Sequence, residues 1–155
     1  MAAVSLARSQ QRYTIVWDFQ LETRFPGIDE DHRALDILLT ALQSACTTNN
    51  KATIAEALKA YAARTAKHFE YEAQLMDTVG DPAKQDHREA HGSYLAELRR
   101  NAAQLEAAGL TPAFRQYVMV QLGDWFRAHV KSYDQGLVRQ LDTFLRSGRA
   151  LPGKS

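Results

Sequence analysis

The sequence has few of the residues that would indicate a disulfide-stabilised or membrane-spanning protein. Its 155 residues include one cysteine, Cys46, which excludes an internal disulfide and favours a reducing compartment. No run approaches the roughly 18 apolar residues of a membrane span. The first residues, MAAVSLARSQQRY, also lack the apolar stretch of a secretory signal. We therefore expect a cytoplasmic protein without membrane insertion.

An excess of charge of one sign is also lacking. The formal net charge of +1 gives no electrostatic case for a nucleic-acid partner. Hydrophobic residues make up 45% and charged residues 24%, which is ordinary for a soluble globular domain. A chain of this length suits one domain with a substantial core.

Turn-forming residues divide the sequence into four segments with helical apolar spacing. The breaks fall at residues 47–50, 79–82 and 109–112. In the second segment one face is marked at steps of three and four by Ile54, Leu58, Tyr61, Thr65, His68, Glu72 and Leu75. Four such segments joined by short loops predict an all-α, up-down-up-down antiparallel four-helix bundle.

Local signals predict where these helices begin and end. Asp81-Pro82 and Thr111-Pro112 each resemble an N-cap followed by proline at the first helical position. Glycine at positions 109 and 148 is typical of a helix C-terminus. We expect an extended N-terminal arm over 1–27 that packs on the bundle end, with a candidate strand from Tyr13 to Trp17. The four-helix domain is predicted over 28–148, followed by a flexible tail over 149–155.

Histidine spacing raises the question of a metal. In HREAH, residues 87–91, two histidines are four residues apart. On a helix this spacing lets both side chains bind the same metal ion. In the zinc-protease signature H-E-x-x-H the glutamate follows the first histidine directly, whereas here it is Glu89, one place too late. Besides a misplaced protease motif, HREAH has two other interpretations. The two histidines lie on the surface, or they belong to another kind of metal site.

The positions of the five histidines are related by symmetry about the predicted turns. In an antiparallel helix pair, residues equidistant from the connecting turn lie at equal depth. His68 and His91 share a midpoint at the second turn, and so do Glu72 and His87. His32 pairs with His68 about the first turn, and His91 with His129 about the third. Unrelated histidines would not align with three turns, so the pattern predicts a metal site.

The residue types indicate two metal ions. Imidazole suits iron, zinc and copper, and carboxylates can bridge two ions. Five histidines exceed the usual ligand set of one zinc ion. Together with two bridging carboxylates and one bridging oxo or hydroxo group, they fill all but one position of two octahedral ions. The remaining position suits a small ligand bound end-on.

The two candidate carboxylates differ in how easily they reach the site. Glu72 follows His68 by four residues, so both share a helix face. Asp134 follows His129 by five, about 140° around a regular helix. Either the two residues straddle the inward direction, or a local π-bulge corrects the angle. The sequence leaves both open.

These motifs resemble the hemerythrin family, in particular its single-domain bacteriohemerythrins. The pattern comprises an aspartate three residues before the first histidine, H-F-x-x-E with a following methionine, H-x-x-x-H, and W-x-x-x-H-x-x-x-x-D. Here these are Asp29 with His32, HFEYEAQLM (68–76), HREAH and WFRAHVKSYD (125–134). The segment VWDFQLET (16–23) also resembles the arm before the family's first helix.

The resemblance implies a non-haem di-iron centre that binds dioxygen reversibly. Glu72 and Asp134 would bridge the irons together with an oxo or hydroxo group. One iron would be held by His87, His91 and His129, and the other, which keeps the open position, by His32 and His68. This favours an oxygen carrier, store or local supplier over an enzyme, with an unidentified protein receiving the oxygen. The alternatives to an oxygen-binding protein are an enzyme acting on peroxide or nitric oxide, a sensor module, and a structural dizinc site.

Three positions depart from the family pattern. Asp31 stands where glutamine usually precedes the first histidine. Arg24 replaces a turn glycine, and Gly27 is shifted. Phe126 replaces the usual leucine after Trp125, and we expect these two aromatic residues to line the oxygen pocket. A core role for Phe126 is equally consistent with the sequence.

Overall fold

Four helices account for most of residues 21–154, the part of the chain that the computed structural model describes. Helix α1 is Pro26–Cys46, α2 is Lys51–Val79 and α3 is Lys84–Ala108. Helix α4 covers residues 112–146 and contains two π-helical segments, Tyr117–Gln121 and Val130–Asp134. No strand occurs within these residues. The predicted all-α antiparallel four-helix bundle is confirmed.

Side-chain caps and glycines explain most of the helix ends. The Asn50 side chain accepts a hydrogen bond from the Thr53 amide at 3.1 Å, and Thr111 accepts one from the Phe114 amide at 3.1 Å. Each such cap is worth about 1 kcal/mol. Gly80 ends α2 with a φ of 64°, in the left-handed region that glycine adopts without steric cost.

The predicted N-cap at Asp81 is wrong. Helix α3 begins at Lys84, because the Asp81 carboxylate accepts a hydrogen bond from the Ala83 amide at 3.0 Å and its carbonyl accepts one from the Lys84 amide at 3.1 Å. Residues 81–84 therefore form a separate turn. The first regular helical bond of α3 runs from the His87 amide to the Ala83 carbonyl.

The chain enters α1 through a turn stabilised by Asp29. This buried carboxylate accepts hydrogen bonds from the amides of Thr23 and Arg24 and from the Thr23 hydroxyl, at 2.8–3.0 Å. Arg24 adopts a φ of 66°, a conformation that favours glycine. Arg24, which replaces a turn glycine of the family pattern, therefore has a strained backbone conformation. A Cβ on Gly27 would lie 2.5 Å from the Tyr71 hydroxyl, so glycine allows α1 to approach α2 closely.

The apolar core forms two clusters, one towards each end of the bundle. The larger surrounds residues such as Leu39, Leu58 and Leu98, and the smaller contains Ile28, Leu75, Met76, Leu137, Val138 and Leu141. Helix α1 packs on α2 and α2 on α3, while α4 closes the bundle. The predicted inward face of α2, including its polar members, is buried throughout. The five histidines lie at one level of the bundle, between the two apolar clusters.

Two predictions about the chain ends lie partly or wholly outside the described residues. The candidate strand from Tyr13 to Trp17 and most of the 1–27 arm belong to residues 1–20. At the other end, 149–154 have no regular structure, and Lys154 donates to the Gly27 carbonyl at 3.0 Å. The division into arm, domain and tail stays a prediction. Among the described helices, none is long and apolar enough to cross a membrane.

Candidate metal centre

The seven predicted side chains come together in the middle of the bundle. None is more than 5% exposed. Their nitrogen and oxygen atoms form two groups, within each of which the atoms lie no more than 4.8 Å apart. Both groups contain Glu72 and Asp134; the first adds His87, His91 and His129, and the second adds His32 and His68. This grouping matches the division that the family resemblance implied.

Three imidazoles of the first group face a common point. Nε2 of His129 lies 3.0 Å from Nε2 of His87 and 2.9 Å from Nε2 of His91. Two ring nitrogens can share one proton, but three that converge at hydrogen-bond distance leave lone pairs facing one another. A cation at that point would satisfy all three nitrogens.

The two carboxylates each face both groups with different oxygens. Asp134 Oδ1 lies 3.0 Å from His87 Nε2 and 3.1 Å from His129 Nε2, while its Oδ2 lies 3.1 Å from His32 Nε2. Glu72 Oε2 lies 3.3 Å from His91 Nε2, and its Oε1 lies 3.2 Å from His68 Nε2. One oxygen toward each group is the arrangement that bridging carboxylates need.

A π-helical segment brings Asp134 to the site. Residues Val130–Asp134 follow His129 with one extra residue in the turn, so a residue five positions later returns to the same helix face. Of the two alternatives that the sequence left open, the structure has the π-bulge. The second π-segment, Tyr117–Gln121, lies nearer the start of α4 and was not predicted.

Aromatic rings cover each histidine of the three-histidine group. Phe69 stacks on His91 at a centroid distance of 3.6 Å, and Trp125 stacks on His129 at 4.3 Å. The third ring, Tyr133, stacks on His87 at 5.0 Å. These contacts fix the planes of the imidazoles and separate them from solvent.

A small cavity lies between the two histidine groups and is lined by His68 of one group and His129 of the other. The rings of His32 and His68 meet edge to face at 4.8 Å, and Phe126 meets His32 in the same manner at 4.9 Å. Phe126 and Trp125 both line the cavity, whose volume is about 10 Å³. That is roughly the room needed by one water-sized molecule.

The carboxylates of Glu72 and Asp134 are ionised in this cluster, and their negative charge favours cations beside them. Burial would raise the pKa of Asp134, but the charge and contacts of His129 hold it well below its usual range. Burial and Asp134 would likewise raise the pKa of Glu72, yet His68 keeps it low. Burial would lower the pKa of His68, whereas Glu72 and Asp31 raise it to about 10. By contrast, burial lowers the pKa of His91 to about 4.

The donor set fits metal ions. Within the described residues, the side-chain oxygens of Glu72 and Asp134 are buried and receive no hydrogen bond of favourable geometry. An unsatisfied buried carboxylate is costly, and coordination to a cation removes that cost. Imidazole and carboxylate together suit iron, and a histidine-rich set also accepts zinc.

Sequence reasoning missed the residues that support His68. Asp31 contacts the Nδ1 side of His68, and Arg64 and Lys154 contact Asp31 in turn. A signal for the first contact was present, because Asp31 and His68 lie at nearly equal distances from the first turn. The contact with Lys154 comes from the far end of the sequence and carries no such signal.

The zinc-protease interpretation of HREAH is excluded by the position of its glutamate. Glu89 is exposed and accepts a hydrogen bond from Gln85 at 3.2 Å, on the outer face of α3. His87 and His91 face inward on the same helix. Glu89 is therefore not available as a general base beside a metal held by these histidines.

Comparison with known proteins agrees with this geometry. Residues 25–141 match the family model described as the hemerythrin HHE cation binding domain. The bacteriohemerythrin of Stenotrophomonas maltophilia is 24% identical over 131 residues, covering 84% of each chain. The myohemerythrin of Sipunculus nudus is 26% identical over 119 residues, covering 77% of this chain and 87% of its own.

A solved structure is similar in fold. The crystal structure of a leucine-to-phenylalanine mutant superposes with a TM-score of 0.67 and 19% identity, covering 75% of this chain and 87% of that chain. Fold and site thus define a four-helix-bundle protein with a buried histidine–carboxylate cluster able to hold metal ions. The family match spans most of the sequence, and the chain belongs to the hemerythrin family.

Proposed function

We propose that this protein binds dioxygen reversibly at a pair of iron ions, as an oxygen carrier, store or local supplier. Membership of the hemerythrin family, whose members bind oxygen at non-haem iron, supports this proposal. The observation that carries the proposal is the sharing of Glu72 and Asp134 between the two histidine groups, one oxygen to each.

The two groups of side chains support a ligand assignment. His87, His91 and His129 would hold one iron, and His32 and His68 the other, with Glu72 and Asp134 bridging together with an oxo or hydroxo group. By family analogy the ion with two histidines would have the open position, and its ligand His68 lines the small cavity together with His129 of the other group. A pair of ferrous ions held by these residues would supply the two electrons that oxygen binding needs, one from each ion.

The residues around the cavity favour binding over catalysis. Phe126 and Trp125 restrict its size, which suits a diatomic ligand and leaves little room for a larger substrate. The nearest hydroxyl groups include Tyr61 and Tyr94, whose oxygens lie 2.5 Å apart. Burial raises the pKa of Tyr61 to about 12 and that of Tyr94 further, so neither serves as a base near neutral pH.

The test is to follow the visible spectrum through repeated oxygenation. Iron-loaded protein is reduced without air, exposed to air, and then deoxygenated by argon over several cycles. Reversible appearance of a charge-transfer band supports oxygen binding. Irreversible conversion to the oxidised form, with consumption of added peroxide or nitric oxide, supports an enzyme instead. A colourless protein that retains zinc contradicts both.

A further inference from the structure

Asp31 is a buried carboxylate that lies directly behind one of the candidate ligands. It is 2% exposed, and its Oδ2 lies 2.9 Å from Nδ1 of His68. On the other side of the same ring, Nε2 of His68 faces Glu72 at 3.2 Å. The imidazole is thus fixed at both nitrogens, with Asp31 on the nitrogen that points away from the metal cluster.

Two cations hold the second oxygen of Asp31. Arg64 Nη2 donates to Oδ1 at 2.6 Å, and Lys154 Nζ donates to the same atom at 2.8 Å. The Arg64 and Lys154 side chains are each about one-third exposed, at 32% and 30%, so this pair connects the buried carboxylate with the surface. Burial disfavours the charged form of Asp31, but His68 and Lys154 keep its pKa well below the usual range.

His87 provides a contrast within the same cluster. Its Nδ1 atom is buried and, in the part of the chain that the structure describes, has no hydrogen-bond partner. A carboxylate behind an imidazole ligand fixes which nitrogen bears the proton, orients the ring and increases its basicity. His68 and His87 are therefore supported differently, and the carboxylate is behind the ligand assigned to the ion with the open position.

We propose that Asp31 is a positioning residue for the two-histidine iron. It accepts the Nδ1 proton of His68, leaves Nε2 free to bind the metal, and makes His68 a stronger electron donor to that ion. The inference rests on the proposed function, because it requires iron at the site. A stronger donor favours the oxidised ion, whereas Arg64 and Lys154 oppose this effect by offsetting the carboxylate charge.

The experiment compares three single variants in the iron-loaded protein. Asp31→Asn keeps the shape of the side chain and removes its charge, and Arg64→Gln removes a cation that offsets it. Glu30→Gln is the matched control, because Glu30 is an exposed carboxylate one residue away. The midpoint reduction potential is measured by spectroelectrochemical titration, and iron affinity by competition with a chelator.

The expected shifts have opposite signs. Asp31→Asn should move the midpoint potential to more positive values and weaken iron binding about 10- to 100-fold. Arg64→Gln should move the potential to more negative values, and Glu30→Gln should leave both quantities unchanged. A purely structural role would not give opposite shifts. Asp31→Asn with the potential and iron affinity of the parent protein would overturn the proposal.

A second measurement uses the unmodified sequence and does not depend on the folding of a variant. In the zinc-loaded protein, nitrogen-15 NMR should show His68 protonated at Nδ1, with a proton that exchanges slowly. A His68 proton on Nε2 would overturn the positioning role while leaving the proposed function intact. Failure of the parent protein to bind iron would refute both, and the iron content of the parent identifies that outcome.

Discussion

Nε2 of His87 lies 3.0 Å from Nε2 of His129, and both nitrogens lie within 3.1 Å of the same oxygen of Asp134. The two histidines come from α3 and α4, and neither helix alone could place these atoms together. Because one proton cannot satisfy both rings and the carboxylate, the relationship is best satisfied by a shared cation.

Replacing Glu72 with alanine should lower the iron content well below two ions per chain. The substitution removes one oxygen from each of the two ligand groups, so both ions lose a ligand. Iron per chain is measured by elemental analysis after reconstitution. Glu70→Ala, an exposed position on the same helix, is the control and should retain the parent content. Full iron occupancy in the Glu72 variant would refute its bridging role.

Replacing Phe126 with leucine should speed oxidation of the oxygenated protein. The smaller side chain enlarges the cavity that His68 and Phe126 line and admits water or small anions to the open position. Loss of buried ring contacts should also lower the free energy of unfolding by about 1–2 kcal/mol. The oxidation rate is read from decay of the visible band, with unfolding followed by denaturant titration. An unchanged oxidation rate would identify Phe126 as a core residue only.

Removing the metal should destabilise the bundle without abolishing its helices. Without cations, the carboxylates of Glu72 and Asp134 remain buried between the two apolar clusters. Metal held by the folded state alone contributes about 3 kcal/mol at a hundredfold excess over Kd, equivalent to a shift in Tm of roughly 5–10 °C. Circular dichroism melts with and without chelator measure the shift. Identical melting curves would contradict a metal centre in the core.

Replacing Arg24 with glycine should raise the free energy of unfolding by up to about 1 kcal/mol. Arg24 has a φ of 66°, a conformation that costs a side chain roughly 1–2 kcal/mol, and the flexibility of glycine in the unfolded chain offsets part of the gain. Asn49→Gly is a matched control, since Asn49 has a φ of 53° and asparagine tolerates that region better. A lower free energy of unfolding in the Arg24 variant would contradict the inference that the backbone is strained at Arg24.

Much of the site follows from the sequence because antiparallel helices obey a simple geometric rule. Equal distances from a turn place His68 opposite His91 and Glu72 opposite His87, and the structure brings these residues together. The π-bulge before Asp134 could not be decided, since an extra residue in a helical turn is set by tertiary contacts.

Other features depend on contacts that local patterns do not encode. The start of α3 was misplaced, because the Asp81 side chain stabilises a turn in place of the helix N-terminus. The support of Asp31 by Lys154 joins opposite ends of the described chain. Neither competition between caps nor packing of the terminal segment is visible in hydrophobic periodicity.

The stoichiometry of oxygen uptake tests reversible dioxygen binding at a di-iron centre. Reduced, iron-loaded protein is titrated with oxygenated buffer while free oxygen is followed with an electrode, and bound oxygen is then recovered under vacuum. We expect one dioxygen to be bound per pair of irons and per chain, and to be recovered on deoxygenation. The Glu72→Ala variant should bind none. Uptake that cannot be recovered, or no uptake by protein with full iron content, would contradict reversible oxygen binding.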